Sequence, residues 1–79
     1  MIEVLIVSPQ GVLFEGQAAN AILPGEGGVF EVLPFHKPIL SRLIGGIIIV
    51  GDKRFAIDRG VVQVKSNRVT AIIEPSAET

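Results

Sequence analysis

A chain of 79 residues with a formal net charge of −1 and no cysteine makes one small domain, without disulfide, zinc ribbon or thiol chemistry. Its basic residues, Lys37, Arg42, Lys53, Arg54, Arg59, Lys65 and Arg68, are scattered and form no stripe, which excludes the electrostatic footprint of a nucleic-acid binder. Ile and Val number 21 against 6 Leu, and β-branched side chains fit a pleated surface better than a helix.

The first strand is predicted over residues 2–7 and is ended by Ser8-Pro9-Gln10-Gly11. A short second strand, 12–15, is broken by Gly16, and a third, 18–23, is stopped by Pro24-Gly25. A fourth spans 28–32, before Pro34, and a fifth 39–43. Residues 47–50 follow Gly45-Gly46 and close at Gly51-Asp52. Residues 53–57 alternate charged and apolar side chains, and Asp58-Arg59-Gly60 reads as a tight turn. Residues 61–65 and 68–74 form a hairpin around Ser66-Asn67, where Asn tolerates the positive φ of such turns. These short strands predict an all-β fold, an antiparallel sandwich or flattened barrel over residues 1–74. Pro75-Ser76-Ala77-Glu78-Thr79 reads as a linker or frayed end.

Met1-Ile2-Glu3 lacks the basic start of a signal peptide. The longest apolar run, 43–50, is interrupted by glycines and far below the ~20 residues that span a bilayer. The expectation is a soluble, cytoplasmic chain without direct membrane insertion. Ile47-Ile48-Ile49-Val50 does not alternate, so it puts Ile or Val on the outer face of a sandwich as well as the inner one. A loop of the same domain or another chain must cover that outer face, and the high mean hydropathy favours another chain.

Sites for small-molecule chemistry are sparse. Gly46 and Gly51 have the spacing of a phosphate loop, but Asp52 stands where Lys is needed and the residues between form a strand. Gly25, Gly27 and Gly28 do not complete a dinucleotide fingerprint, because Phe30 takes the last glycine position and no helix follows. His36 is the only candidate general base, with Ser8 and Asp58 as conceivable triad partners, and no nucleophile elbow supports them. The simpler role of His36 is to order the loop between Pro34 and Pro38 by hydrogen bonds. One His and dispersed carboxylates make no metal site, and no cofactor is expected.

The remaining motifs carry a family likeness. They are Val7-Ser8-Pro9 with Leu13-Phe14-Glu15-Gly16, then Leu23-Pro24-Gly25-Glu26-Gly27-Gly28, then Leu33-Pro34-Phe35-His36-Lys37-Pro38-Ile39-Leu40. Gly45-Gly46 with its apolar strand follows, and then Gly60-Val61-Val62-Gln63-Val64 and Asn67-Arg68-Val69-Thr70. In order and spacing this resembles the N-terminal domain of the epsilon subunit of F-type ATP synthases, called delta in mitochondria. The resemblance implies a flattened β-sandwich of about ten short strands in the central stalk. It implies a non-catalytic rotor subunit that binds gamma and the c-ring and couples ion-driven rotation to ATP synthesis. It also implies a peripheral position on the cytoplasmic face of the membrane, as part of the ATP synthase complex. By the same resemblance Glu26, Gly27, Gly28, Val29, Phe30 and Glu31 face the c-ring. Ser8 and His36 lie near gamma, His36 also near the ring side. The outward apolar run then gains a role, as a surface buried against gamma.

Two residues depart from the family: Glu31, where Gly is usual, and Phe35, where Gly or Asn is usual. Phe35 implies a different turn or a hydrophobic anchor inserted into a partner, and Glu31 a pairing with a basic residue of the c-ring loops. The chain also stops at Thr79, where the family's inhibitory C-terminal helical hairpin begins, so it reads as a naturally short subunit or a truncated one, and no residue for inhibition or ATP sensing is carried over. The competing reading is a free-standing β-sandwich module for a protein or peptide. Sugar is disfavoured by the absence of Trp and Tyr, whose faces stack on sugar rings.

Overall fold

The computed structural model describes residues 1–76, and residues 77–79 of the expected tail lie outside the described residues. Eight strands follow one another: β1 (Ile2–Ser8), β2 (Gly11–Ala18), β3 (Ala21–Gly25), β4 (Gly28–Val32), β5 (Ile39–Leu43), β6 (Gly46–Val50), β7 (Lys53–Lys65) and β8 (Arg68–Pro75). The all-β, sandwich-like expectation holds. One layer runs β2-β1-β8-β7-β5; the N-terminal half of β7 passes to β6, which pairs β3, and β3 pairs β4. Every pairing is antiparallel except β1 with β8, which is parallel and so departs from a wholly antiparallel sandwich.

The two predicted strands 53–57 and 61–65 are one strand, β7, and the expected tight turn at Asp58-Arg59-Gly60 is a bulge within it. Thirteen residues in a straight strand reach roughly 40 Å. The longest dimension of the molecule is 33 Å, so β7 has to bend. It bends where the register with β8 shifts between Ile57 and Arg59. Before the bulge β7 pairs β6 and, at Ile57, the end of β8; after it β7 pairs β5 and the rest of β8. Gly60 follows directly, and a Cβ there would lie 2.6 Å from the carbonyl oxygen of Ile72. This glycine therefore serves close strand approach rather than a turn. A closed circuit results, β7 to β5 to β3 to β6 and back to β7.

Two other breaks expected from the sequence are also absorbed. Gly16 does not end β2 but pairs Val4 within it. Pro24 and Gly25 belong to β3, which begins at Ala21, after a bend at Ala19. Pro75 and Ser76, assigned to the tail by sequence, belong with β8: Pro75 pairs Ile57, and the Ser76 N–H donates to the carbonyl of Ala56 at 3.0 Å. The hairpin at Ser66-Asn67 forms as expected, with φ of 53° and 61°.

Alternation builds the core. In β1, Ile2, Val4 and Ile6 point inward, and in β8, Val69, Ala71 and Ile73 do the same. They meet Leu23, Val32, Ile48, Val50, Ile57, Val62 and Val64 in one buried cluster. Phe14 of β2 and Phe55 of β7 stand edge to face at 6.0 Å and join the two layers beside the edge strand.

Candidate docking surfaces

The registers define two ends. Leu43, Gly60 and Ile73 are aligned across β5, β7 and β8, and Ser8 lies beside them at the end of β1. At the opposite end Ile39, Val64, Val69 and Val4 are aligned. The ends are four residues apart along each strand, about 13 Å.

The Ser8 end carries a groove of about 580 Å³. Its walls are mostly apolar, with Pro9, Ile44, Val61 and Ile72, and its rim carries Glu26, Arg42, Arg59 and Glu74. Arg59 and Glu74 pair at 3.6 Å, but both are well exposed and the pair contributes little. The Ser8 hydroxyl is engaged in its own turn. It accepts from the Gln10 N–H at 3.2 Å and can donate to the Gln10 side-chain oxygen or the carbonyl of Gly11. Ser8 thus shapes the β1–β2 turn, and the hydroxyl is not presented as a nucleophile. Glu26 and Gly27 form the tip of the β3–β4 hairpin, fastened by the Glu26 N–H to the carbonyl of Arg42 at 3.0 Å.

Along β4 the predicted ring-side residues split between faces. Val29 and Glu31 are exposed, whereas Phe30 turns inward and packs against the core. Its ring fills the space beside Gly25, where a Cβ would lie 2.8 Å from it. Glu31 accepts a 2.6 Å hydrogen bond from the Asn20 amide through Oε2.

His36 lies at the other end, within the connection from β4 to β5. Its backbone N–H donates to the carbonyl of Leu33 at 3.2 Å, and its Nδ1 donates to the carbonyl of Lys37 at 2.7 Å. Leu33-Pro34-Phe35-His36 has the form of a type II turn, with Pro second and a positive φ third. That third residue is Phe35, at φ 66° and 88% exposed. Its N–H donates to the Asn67 side-chain oxygen at 2.6 Å, which ties the turn to the β7–β8 hairpin. A bulky residue in this region costs about 1–2 kcal/mol.

Ser8 and His36 are therefore not brought together, and no triad with Asp58 assembles. Among the described residues no group of three or more His, Asp or Glu is placed to hold a metal ion. No helix among them is long and apolar enough to cross a membrane.

The outer sheet faces carry apolar patches among charged and polar residues. On β6, Ile47 is 45% exposed and Ile49 half-buried, both pointing outward as expected from the non-alternating run. Ile49 faces Ile22 of β3. A second apolar row escaped the sequence reading: Val12, Val7, Ile72 and Val61 are adjacent across β2, β1, β8 and β7. Val12 is 60% and Ile72 55% exposed. The signal was present in the same form, since Leu5-Ile6-Val7, Val61-Val62 and Ile72-Ile73 do not alternate either.

The β-sandwich domain of the ATP synthase delta/epsilon chain matches residues 1–78. The ATP synthase epsilon chain of Nitratiruptor sp. is 40% identical over 74 residues, covering 87% of this chain and 57% of the relative. That of Rickettsia typhi is 32% identical, covering 92% of this chain and 73% of the relative. The chain thus spans a little over half to about three quarters of the length of these relatives. In the solved Tetrahymena thermophila mitochondrial ATP synthase, central stalk and c-ring, one chain shares the fold with a TM-score of 0.79 at 15% identity, over 92% of this chain and 63% of that one. With the match extending along almost all of its sequence, this chain belongs to the ATP synthase delta/epsilon-chain β-sandwich family.

Proposed function

We propose that the protein is a non-catalytic central-stalk subunit of an F-type ATP synthase, which binds gamma and the c-ring and couples ion-driven rotation to ATP synthesis. The observation that carries this reading is the family match along residues 1–78. The fold likeness to a chain from a central stalk and c-ring assembly is in keeping with it. In this reading the subunit sits peripherally on the cytoplasmic face of the membrane and uses no cofactor.

A coupling part has to resist deformation and stay bound. The closed circuit of β7, β5, β3 and β6 supports the first requirement, because shearing it breaks several ladders at once. The apolar row of Val12, Val7, Ile72 and Val61 supports the second, since permanent interfaces are large and apolar. Ser8 and His36 mark opposite ends of that face, so gamma lies lengthwise along it as an elongated partner. The c-ring is met by Glu26, Gly27, Gly28 and Val29 at the hairpin tip and by the outward Glu31, with Phe30 bracing the hairpin from within.

Co-purification of the chain with its host's gamma subunit tests this, followed by ATPase assay of the catalytic complex with and without it. A stable complex that supports coupled turnover is expected. Failure to bind gamma would leave a free-standing β-sandwich binding module instead.

A further inference from the structure

We propose that Phe35 is an aromatic anchor for gamma, seated in an apolar pocket of that subunit whose rim carries carboxylates. This rests on the stalk reading above and adds to it a residue and a partner chemistry.

Three observations converge. First, the backbone at Phe35 is in the left-handed region, at φ 66°, where a type II turn takes Gly or Asn without strain. A Phe is retained there although its ring gains little shelter from its own chain, being 88% exposed. Strain held at an exposed position points to a role outside the fold.

Second, the turn is held ready. The Asn67 side chain takes the Phe35 N–H at 2.6 Å, the Leu33 carbonyl takes the His36 N–H, and Pro34 and Pro38 restrict the backbone on either side. A ring presented on a fixed turn loses little freedom on binding, and exposed aromatic side chains that become buried are typical interface hot spots.

Third, the surroundings name the partner. Leu33 in the same turn is exposed, and Leu40, near the start of β5, is 78% exposed. Leu40 lies on the outward side of β5, the same side as Val61 and Ile72, with Arg42, Gln63 and Thr70 between them. Lys37 and Lys65 flank the turn and the hairpin that fastens it, and neither has an ion-pair partner among the described residues. Arg68 is matched by Glu3 at 3.0 Å, which leaves the local excess positive. An apolar centre with a basic rim calls for an apolar pocket with an acidic rim.

The test is a binding titration of host gamma against the full chain and its Phe35→Gly and Phe35→Asn variants, with thermal melts of each. Both variants relieve the turn, so both fold. The expected result is intact melting with affinity for gamma reduced about thirtyfold. Unchanged affinity in both variants overturns the anchor while leaving the stalk reading standing. Absence of binding by the unsubstituted chain overturns both. A Lys37→Glu, Lys65→Glu double variant addresses the rim: association with gamma is expected to slow at low salt, and an unchanged rate overturns the acidic pocket.

Discussion

At one end of the sandwich the chain reverses from β3 to β4 through Gly28, at φ 132°; at the other it turns toward β5 through Phe35, at φ 66°. The first conformation suits a residue without Cβ, and the tip it creates lies beside a groove. The second is imposed on a bulky side chain and secured by a bond from a different hairpin. The glycine end turns without strain, although its tip is proposed to meet the c-ring. The Phe35 end keeps strain that Gly or Asn would relieve, and this difference in strain sets the proposed anchor apart from an ordinary turn.

Substitutions at the two ends have different expected effects. The largest effect belongs to Gly60, near the groove, where an added Cβ meets the Ile72 carbonyl at 2.6 Å and the Ile73 side chain at 2.7 Å. Gly60→Ala should lower stability by about 3 kcal/mol, read as a fall in the urea midpoint. A neutral result would mean that the bend in β7 is slack. Next comes Asn67→Ala, which removes the acceptor for the Phe35 N–H and leaves Ala at positive φ. A loss of about 2 kcal/mol is expected by the same measurement, and a loss below about 0.5 would show that the turn is not held from that side. The smallest change has the opposite sign: Phe35→Asn should raise stability by about 1 kcal/mol, and a loss would remove strain from the comparison.

Local punctuation made much of the fold legible. Strands at 28–32 and 39–43 were read correctly because Gly28 opens β4 while Pro34 and Pro38 bound the connection to β5. Asp58-Arg59-Gly60 and Gly16 misled because glycine marks bulges and close approach inside strands as well as turns between them. The parallel pairing of β1 with β8 was invisible, since it joins the two ends of the sequence and leaves no local trace. The Glu26–Glu31 hairpin was legible as a unit, but only the register shows that Phe30 faces the core while Val29 and Glu31 face out. The row of Val12, Val7, Ile72 and Val61 needed three pairings at once to become a surface.

On the reading proposed above, gamma docks on this outer row. Titrating gamma against the unsubstituted chain and Ile72→Glu tests it most directly, because Ile72 is 55% exposed and its replacement leaves the core untouched. Burying an unpaired carboxylate in place of an apolar side chain should weaken binding about a hundredfold or more, with melting nearly unchanged. Full affinity in the variant would place gamma elsewhere on the sandwich.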